Sequence, residues 1–229
     1  VNFELEDGEE TNTKKINIEV EEKPTGEIMV GAGAGTDGGT FGFSITENNF
    51  LGKNIKLSTS LDLTEDSIKG NFSVTNPNFN YSDKSLTTSV QSTKIDKLSD
   101  SGYEATKTGF TLGTGFEQFQ NVYFTPNISN MYEDLETKST ASANLKKQSG
   151  SYFESKFSYG LDYDMRNQRY QTTEGFRSVF RQSIPLYSDE YSLGNVYDYK
   201  TWYKLTNNMV TSLNFYARSV NSLAGDDVR

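Results

Sequence analysis

Between residues 151 and 164 the chain changes character at every second position. Phe153, Ser155, Phe157, Tyr159, Leu161 and Tyr163 fall on one side, and Glu154, Lys156, Ser158, Gly160, Asp162 and Asp164 on the other. A period of two marks an extended strand whose faces meet different surroundings; a helix would scatter these aromatic residues around its circumference. The pattern recurs in Ile55, Leu57, Leu61 and Leu63 against Asn54, Lys56, Ser58, Ser60 and Asp62, and in Phe110, Leu112 and Phe116 against Gly109, Thr111, Gly113 and Gly115. Strands are expected near 27–35, 40–49, 53–65, 67–76, 85–96, 106–117, 121–132, 151–164, 175–187, 191–205 and 209–220, eleven in all. The fifth has the weakest pattern. Residues 133–150, with Ala141, Ala143, Leu145, Lys146 and Lys147, lack the alternation and are expected to form a loop with a helical turn.

Many of these segments exceed the roughly five or six residues usual for a strand, and a strand crosses a bilayer in about 9–11 residues. Only 34% of the chain is hydrophobic and its mean hydropathy is -0.67, yet 13% is aromatic. No apolar run approaches the roughly 20 residues of a spanning helix. In the later strands Arg177, Arg181, Asp198, Lys200, Lys204 and Arg218 fall opposite aromatic and aliphatic residues. A soluble sheet packed on one face would alternate in the same way, but strand length and aromatic content favour an all-β fold, an antiparallel transmembrane β-barrel with one face toward lipid and the other toward a wet lumen. Glu154, Lys156, Asp162, Arg177, Arg181 and Lys200 are then expected to face the lumen.

Residues 1–24 read differently. Val1-Asn2-Phe3-Glu4-Leu5 and Ile16-Asn17-Ile18-Glu19-Val20 are short alternating strands around a polar loop containing Asp7, Gly8, Glu9, Glu10 and Asn12. A hairpin this small is not stable by itself, so it is expected to belong to a domain that begins upstream. Pro24, Thr25 and Gly26 mark a linker, leaving 25–229 as barrel. Val1 already lies in an alternating segment, so any targeting sequence is expected further upstream.

The chain contains neither Cys nor His, which removes thiolate nucleophiles, disulfides and the commonest general bases and metal ligands. No enzyme activity, metal or cofactor is expected. A net charge of -9 without a basic cluster also excludes a nucleic-acid surface. Gly31, Gly33, Gly35, Gly38 and Gly39 are rejected as a phosphate loop because a strand, Phe41 to Ile45, follows where a helix is needed. Asp7, Glu9 and Glu10 lack the spaced ligands of a calcium loop. Glu154, Asp162 and Asp164 are read as lumen wall in preference to an acid/base pair, with Lys156, Arg177 and Arg181 nearby to compensate them.

Four segments carry a resemblance. Glu21-Glu22-Lys23-Pro24-Thr25-Gly26, followed by Gly31-Ala32-Gly33-Ala34-Gly35-Thr36-Asp37-Gly38-Gly39, resembles the junction between the last POTRA domain and the barrel in the BamA family. Phe43-Ser44-Ile45-Thr46-Glu47-Asn48-Asn49-Phe50-Leu51-Gly52 is similar to that family's second strand and its Asn-aromatic-Leu-Gly turn. Val74-Thr75-Asn76-Pro77-Asn78-Phe79 resembles its Thr-Asn-Pro-x-aromatic turn, and Tyr170-Gln171-Thr172-Thr173-Glu174-Gly175-Phe176-Arg177 its aromatic-x-Thr-x-Gly segment before the ninth strand. The four occur in the family's order over residues 21–187. The family's Arg-Gly-aromatic signature of the sixth extracellular loop is absent here; Asp227-Val228-Arg229 stands where that loop would start.

The resemblance implies a sixteen-strand barrel of which these are the first eleven strands. It further implies a bacterial outer-membrane location with the N-terminal segment in the periplasm. The activity implied is folding and insertion of outer-membrane barrels, with unfolded clients, outer-membrane lipid and accessory lipoproteins as partners. A secretion or import barrel of the same superfamily, or a passive porin-like channel, is the alternative. In the first barrel strand Val30, Gly31, Ala32, Gly33, Ala34 and Gly35 are candidates for pairing with a client strand. Glycines lower strand stability by roughly 0.5–1 kcal/mol each relative to Ala, so this strand is expected to open most easily.

Overall fold

The computed structural model describes residues 2–8, 13–21, 23–35, 38–189 and 191–225. Two sheets account for almost all of them. In the small one, β1 (Asn2–Asp7) pairs antiparallel with β2 (Lys14–Glu19), setting Phe3 opposite Ile18 and Leu5 opposite Ile16. These four side chains are exposed. Glu9, Glu10 and Asn12 of the acidic loop lie outside the described residues.

The large sheet is an antiparallel meander. Its strands are β3 (Gly26–Gly35), β4 (Gly38–Phe50), β5 (Ile55–Thr64), β6 (Ser67–Asn76), β7 (Ser85–Lys97), β8 (Tyr103–Phe119), β9 (Val122–Phe124), β10 (Asn127–Thr137), β11 (Gly150–Asp164), β12 (Gly175–Ser188), β13 (Ser192–Thr206) and β14 (Met209–Ser222). Each long strand pairs with its neighbour in sequence, from β3 at one edge to β14 at the other, and β9 is a short bridge between β8 and β11. The weakly patterned β7 forms in full, paired with both β6 and β8.

Register explains the alternation. Leu57, Val74, Thr88, Leu112, Ile128, Phe157 and Ile184 stand opposite one another in turn across seven strands, and one residue along each strand the row becomes Ser58, Ser73, Ser89, Thr111, Ser129 and Lys156. One face is therefore apolar and the other polar over most of the sheet. Among the described residues no second layer covers the apolar face, and the polar face is covered only locally, where the connection containing Ala141 and Leu145 lies over Ala105 and Leu135. Phe72, Val90, Phe110, Leu112, Ile128 and Tyr132 are all exposed, and no large side chain is fully buried among the described residues. The accessible surface is 16213 Å², against roughly 10,000 Å² for a water-soluble monomer of this mass. The apolar face needs an apolar medium in place of a core.

Three details depart from the expected elements. The strand expected at 121–132 is divided by Pro126, which has no N–H for the ladder; Thr125 keeps the connection to β11 through two backbone bonds with Gly160 of 2.9 and 3.2 Å. Beyond Pro126, β10 runs on to Thr137, five residues into the stretch expected to be loop. Glu133 pairs with Lys107 at 3.0 Å on the polar face while Asp134 and Glu136 point the other way, so charge on both faces hides the period of two. The helical turn does form, as α1 (Ala143–Lys147) capped by Ser142. Finally, β12 carries a bulge: Ser155 faces Tyr187 and Lys156 faces Pro185, leaving Leu186 as the extra residue.

Candidate functional site

The edge strand β3 is exposed along its whole length and pairs with β4 alone among the described residues. Val30 faces Phe43, Gly31 faces Gly42, Ala32 faces Phe41, Gly33 faces Thr40, Ala34 faces Gly39 and Gly35 faces Gly38. Cross-strand side-chain pairs are the main stabilising unit of a sheet, and from Gly31 onward this pair of strands has few. A Cβ at Gly31 or Gly35 would meet nothing within 4 Å, so packing within the chain does not demand glycine at either position. Their effect is to weaken the strand.

The beginning of β3 is held firmly. The Thr25 hydroxyl donates to the Glu47 carboxylate, and the Thr25 carbonyl accepts from the Asn48 backbone N–H at 3.2 Å and from its side-chain amide at 3.0 Å. The strand is thus pinned at Thr25 and thin toward Gly35. The glycine-rich run forms two strands, with Thr36 and Asp37 between them outside the described residues.

The charged residues singled out in the sequence share the polar face at two places. Near the α1 end, Glu154 and Lys156 form an ion pair and line a cavity of about 530 Å³ together with Lys107, Glu133 and Leu145 of α1. Nearer the opposite end, Asp162, Arg177 and Arg181 line a cavity of about 460 Å³. Arg177 donates through both Nε and Nη2 to Asp162, the Nε bond measuring 2.9 Å to Oδ1. That bidentate geometry is the strongest form of the pair. Lys200 lies opposite Arg177 in the β12–β13 register, with its ammonium 5.2 Å from the Trp202 ring centre. Arg181 stands opposite Gly160 and Val196 and has no acidic partner among the described residues.

A second fork at this end was not anticipated. Arg166, in the connection between β11 and β12, donates from Nε and Nη2 to Asp164 at 2.7 and 2.6 Å. The bond raises the Arg166 pKa above its ordinary value. The Asp-x-Arg spacing is the only hint of it in the sequence. The same connection is closed by Asn167, whose Oδ1 accepts from the Thr173 and Glu174 N–H groups, and by Gly175 at φ 100, where a Cβ would lie 2.2 Å from the Met165 carbonyl. No group of three or more His, Cys, Asp or Glu among the described residues is placed to hold a metal. What the arrangement offers is a strand edge poor in side chains at one side of the sheet and paired charge on one face.

Residues 49–229 match the family model described as the Omp85 superfamily domain. No curated protein sequence matches the chain. Among solved structures, the chain is similar to that of BamA from Haemophilus ducreyi lacking POTRA domains 1–3, with a TM-score of 0.77 and 21% identity, over 99% of this chain and 47% of that one. At that identity the likeness shows the fold, and the chain spans about half the length of that structure.

Proposed function

This chain belongs to the Omp85 superfamily, and from that membership we propose that it is the N-terminal part of a bacterial outer-membrane barrel that folds and inserts other β-barrels. In this reading residues 25–229 supply the first eleven strands of a sixteen-strand wall. Residues 1–24 end a periplasmic POTRA domain, which covers the exposed Phe3, Leu5, Ile16 and Ile18. The apolar face meets lipid, and Glu154, Lys156, Asp162, Arg177, Arg181 and Lys200 face the lumen. Unfolded outer-membrane proteins are the clients, and accessory lipoproteins complete the machine.

The observation that carries the proposal is the thinness of β3, a sheet-edge strand with few side chains to pack from Gly31 to Gly35. An unpaired strand edge in lipid leaves N–H and C=O groups without water, each at a cost of several kcal/mol. A client strand that pairs there satisfies them, and main-chain hydrogen bonds accept many client sequences. The thin Gly31–Gly35 stretch lowers the cost of separating β3 from whatever strand closes the wall, while the anchor at Thr25 keeps it in place. No bond in the client is made or broken, so the chemistry is templating.

Single cysteines at Val30, Ala32 and Ala34, in a chain that has none, are expected to crosslink to the terminal strand of a stalled client in a register-dependent pattern. Ala32 directs its N–H away from β4, being of opposite parity to Thr25, whose carbonyl accepts from Asn48 of β4; proline there is expected to impair assembly. Crosslinks confined to a distant strand, with full activity after β3 is tethered to the closing strand, would refute the proposal. A porin-like channel predicts no client crosslinks anywhere.

A further inference from the structure

We infer that two adjacent turns at the Thr25 end of the sheet, residues 51–54 and 77–84, form an insertion site for the headgroup layer of an anionic phospholipid leaflet. The turns hold two large apolar side chains away from the protein. Leu51 is 73% exposed and Tyr81 103%, as open as in a free peptide. Both have left-handed backbones, φ 56 and φ 57, a conformation that bulky residues rarely adopt and that glycine or asparagine would take more easily.

Neither turn is loose. In the first, the Gly52 N–H donates to the Asn49 carbonyl at 2.9 Å and the Asn54 N–H to the Asn49 side chain at 2.7 Å. In the second, the Tyr81 N–H donates to the Asn78 carbonyl at 3.1 Å and the Ser82 hydroxyl to the Phe79 carbonyl at 2.6 Å. The Asn54 amide donates across to the Asn78 side chain at 3.3 Å and links the two. A hydrogen-bonded frame thus presents Leu51 and Tyr81 in a disfavoured conformation, and the described residues leave most of Leu51 and all of Tyr81 open.

The surroundings point to one occupant. Lys84, in the second turn, places its ammonium 5.0 Å from the centre of the Phe116 ring, which packs edge-on against Phe124 on the apolar face. The second turn therefore sits at the rim of that face, and the first is tied to it. Lys53 lies exposed between Leu51 and Asn54 and has no acidic partner among the described residues. In a chain of net charge -9, these two turns hold two lysines, Lys53 and Lys84, against the single carboxylate of Asp83, beside an aromatic and an aliphatic tip. That combination suits the boundary where acyl chains give way to phosphate: amphipathic rings settle at headgroup level and lysines gain from negative surface potential. A soluble acidic partner would satisfy the lysines and leave Leu51 and Tyr81 in water.

The inference rests on the reading that the apolar face meets lipid, and the test separates the two. The full-length protein is labelled with an environment-sensitive fluorophore at single cysteines, Leu51→Cys, Tyr81→Cys and, in the middle of the apolar face, Phe72→Cys. It is then reconstituted in phosphatidylcholine vesicles with or without phosphatidylglycerol. Labels at 51 and 81 are expected to shift to the blue and to be quenched by nitroxide lipid, more strongly in the anionic vesicles. Lys53→Gln is expected to lower the lipid-to-water ratio of the label at 51 about five-fold there. A quenched label at 72 with iodide-accessible labels at 51 and 81 would overturn the inference alone. A water-exposed label at 72 would overturn the membrane reading beneath it. Equal quenching in neutral and anionic vesicles, unchanged by Lys53→Gln, would overturn the assignment to anionic lipid.

Discussion

The two sides of the large sheet are built from the same backbone pattern and filled in opposite ways. Between β3 and β4, from Gly31 to Gly35, the opposed residues are glycine, alanine, threonine and one phenylalanine. Between β11 and β14 the apolar face is a run of ring contacts: Tyr159 with Phe180 at 6.2 Å, Tyr163 with Phe176 at 5.3 Å, Phe176 with Tyr199 at 5.9 Å and Tyr197 with Phe215 at 6.2 Å. All ring pairs among the described residues lie on strands β8 to β14. Ladder hydrogen bonds are common to both regions, so any difference in how readily they separate must come from side chains. In the proposed barrel the same glycine-rich β3 would meet the closing strand on its other side, so that seam would also be poor in side-chain contacts.

The largest effect is expected from Tyr159→Ala. Its ring touches those of Phe124, Phe157 and Phe180, and its hydroxyl donates to Gln182 at 3.0 Å. Gln182 in turn donates to Asn195 at 2.8 Å and Asn195 to Ser219 at 3.3 Å, a polar row crossing the apolar face in which each group satisfies the next. Truncation removes ring packing and leaves an unpaired amide oxygen in an apolar medium, together about 2–3 kcal/mol for a half-buried side chain. Val30→Ala in β3, where the side chain is 63% exposed, costs under about 1 kcal/mol. Urea unfolding from lipid vesicles measures both; equal losses would erase the proposed contrast.

A smaller effect is expected on the other face. Asp162→Asn takes the partner from Arg177, whose side chain is 38% exposed, and costs about 1–2 kcal/mol, well below the cost of breaking a fully buried pair. Arg177→Gln in the same chain returns part of the loss, as a double-mutant cycle should show if the two interact directly. No recovery would mean that each is held by other groups.

How much of this was legible in the sequence follows from how side chains advertise their neighbours. The strands with a clean apolar side, such as β5 and β11, were placed to within about two residues, because one face must avoid water and a slip of one residue would invert it. The end of β10 was missed because Glu133, Asp134 and Glu136 put charge on both faces. The division at Pro126 and the bulge at Pro185 follow from the missing N–H, but sequence shows only that a proline is present and not how the ladder accommodates it. On the polar face, membership was readable and partnership was not: Asp162 and Arg177 are fifteen positions apart, and only register brings them together. The two turns were legible in Asn49-Phe50-Leu51-Gly52 and Asn76-Pro77-Asn78-Phe79, but the left-handed backbones of Leu51 and Tyr81 were not, since neither residue type favours that conformation.

The smallest expected change in stability tests the seam most directly. Gly31→Thr and Gly35→Thr add a β-branched side chain where a Cβ meets nothing within 4 Å, so neither clashes. Each should stabilise β3 by roughly 0.5–1 kcal/mol, by restricting the unfolded chain and favouring the extended backbone. At Gly33 the same change would bring the Cβ to 3.1 Å from the Thr40 hydroxyl, and less gain is expected. Hydrogen exchange of the β3 amides should slow in the first two variants, while the midpoint of global unfolding barely moves. Client insertion, followed as the rate at which a heat-modifiable barrel appears in vesicles, should slow in proportion. If β3 is only a passive end of the wall, the two variants will exchange more slowly and insert clients at the original rate. Slower exchange coupled to slower insertion is what the templating reading requires, because in that reading the glycines exist to keep this one pairing weak.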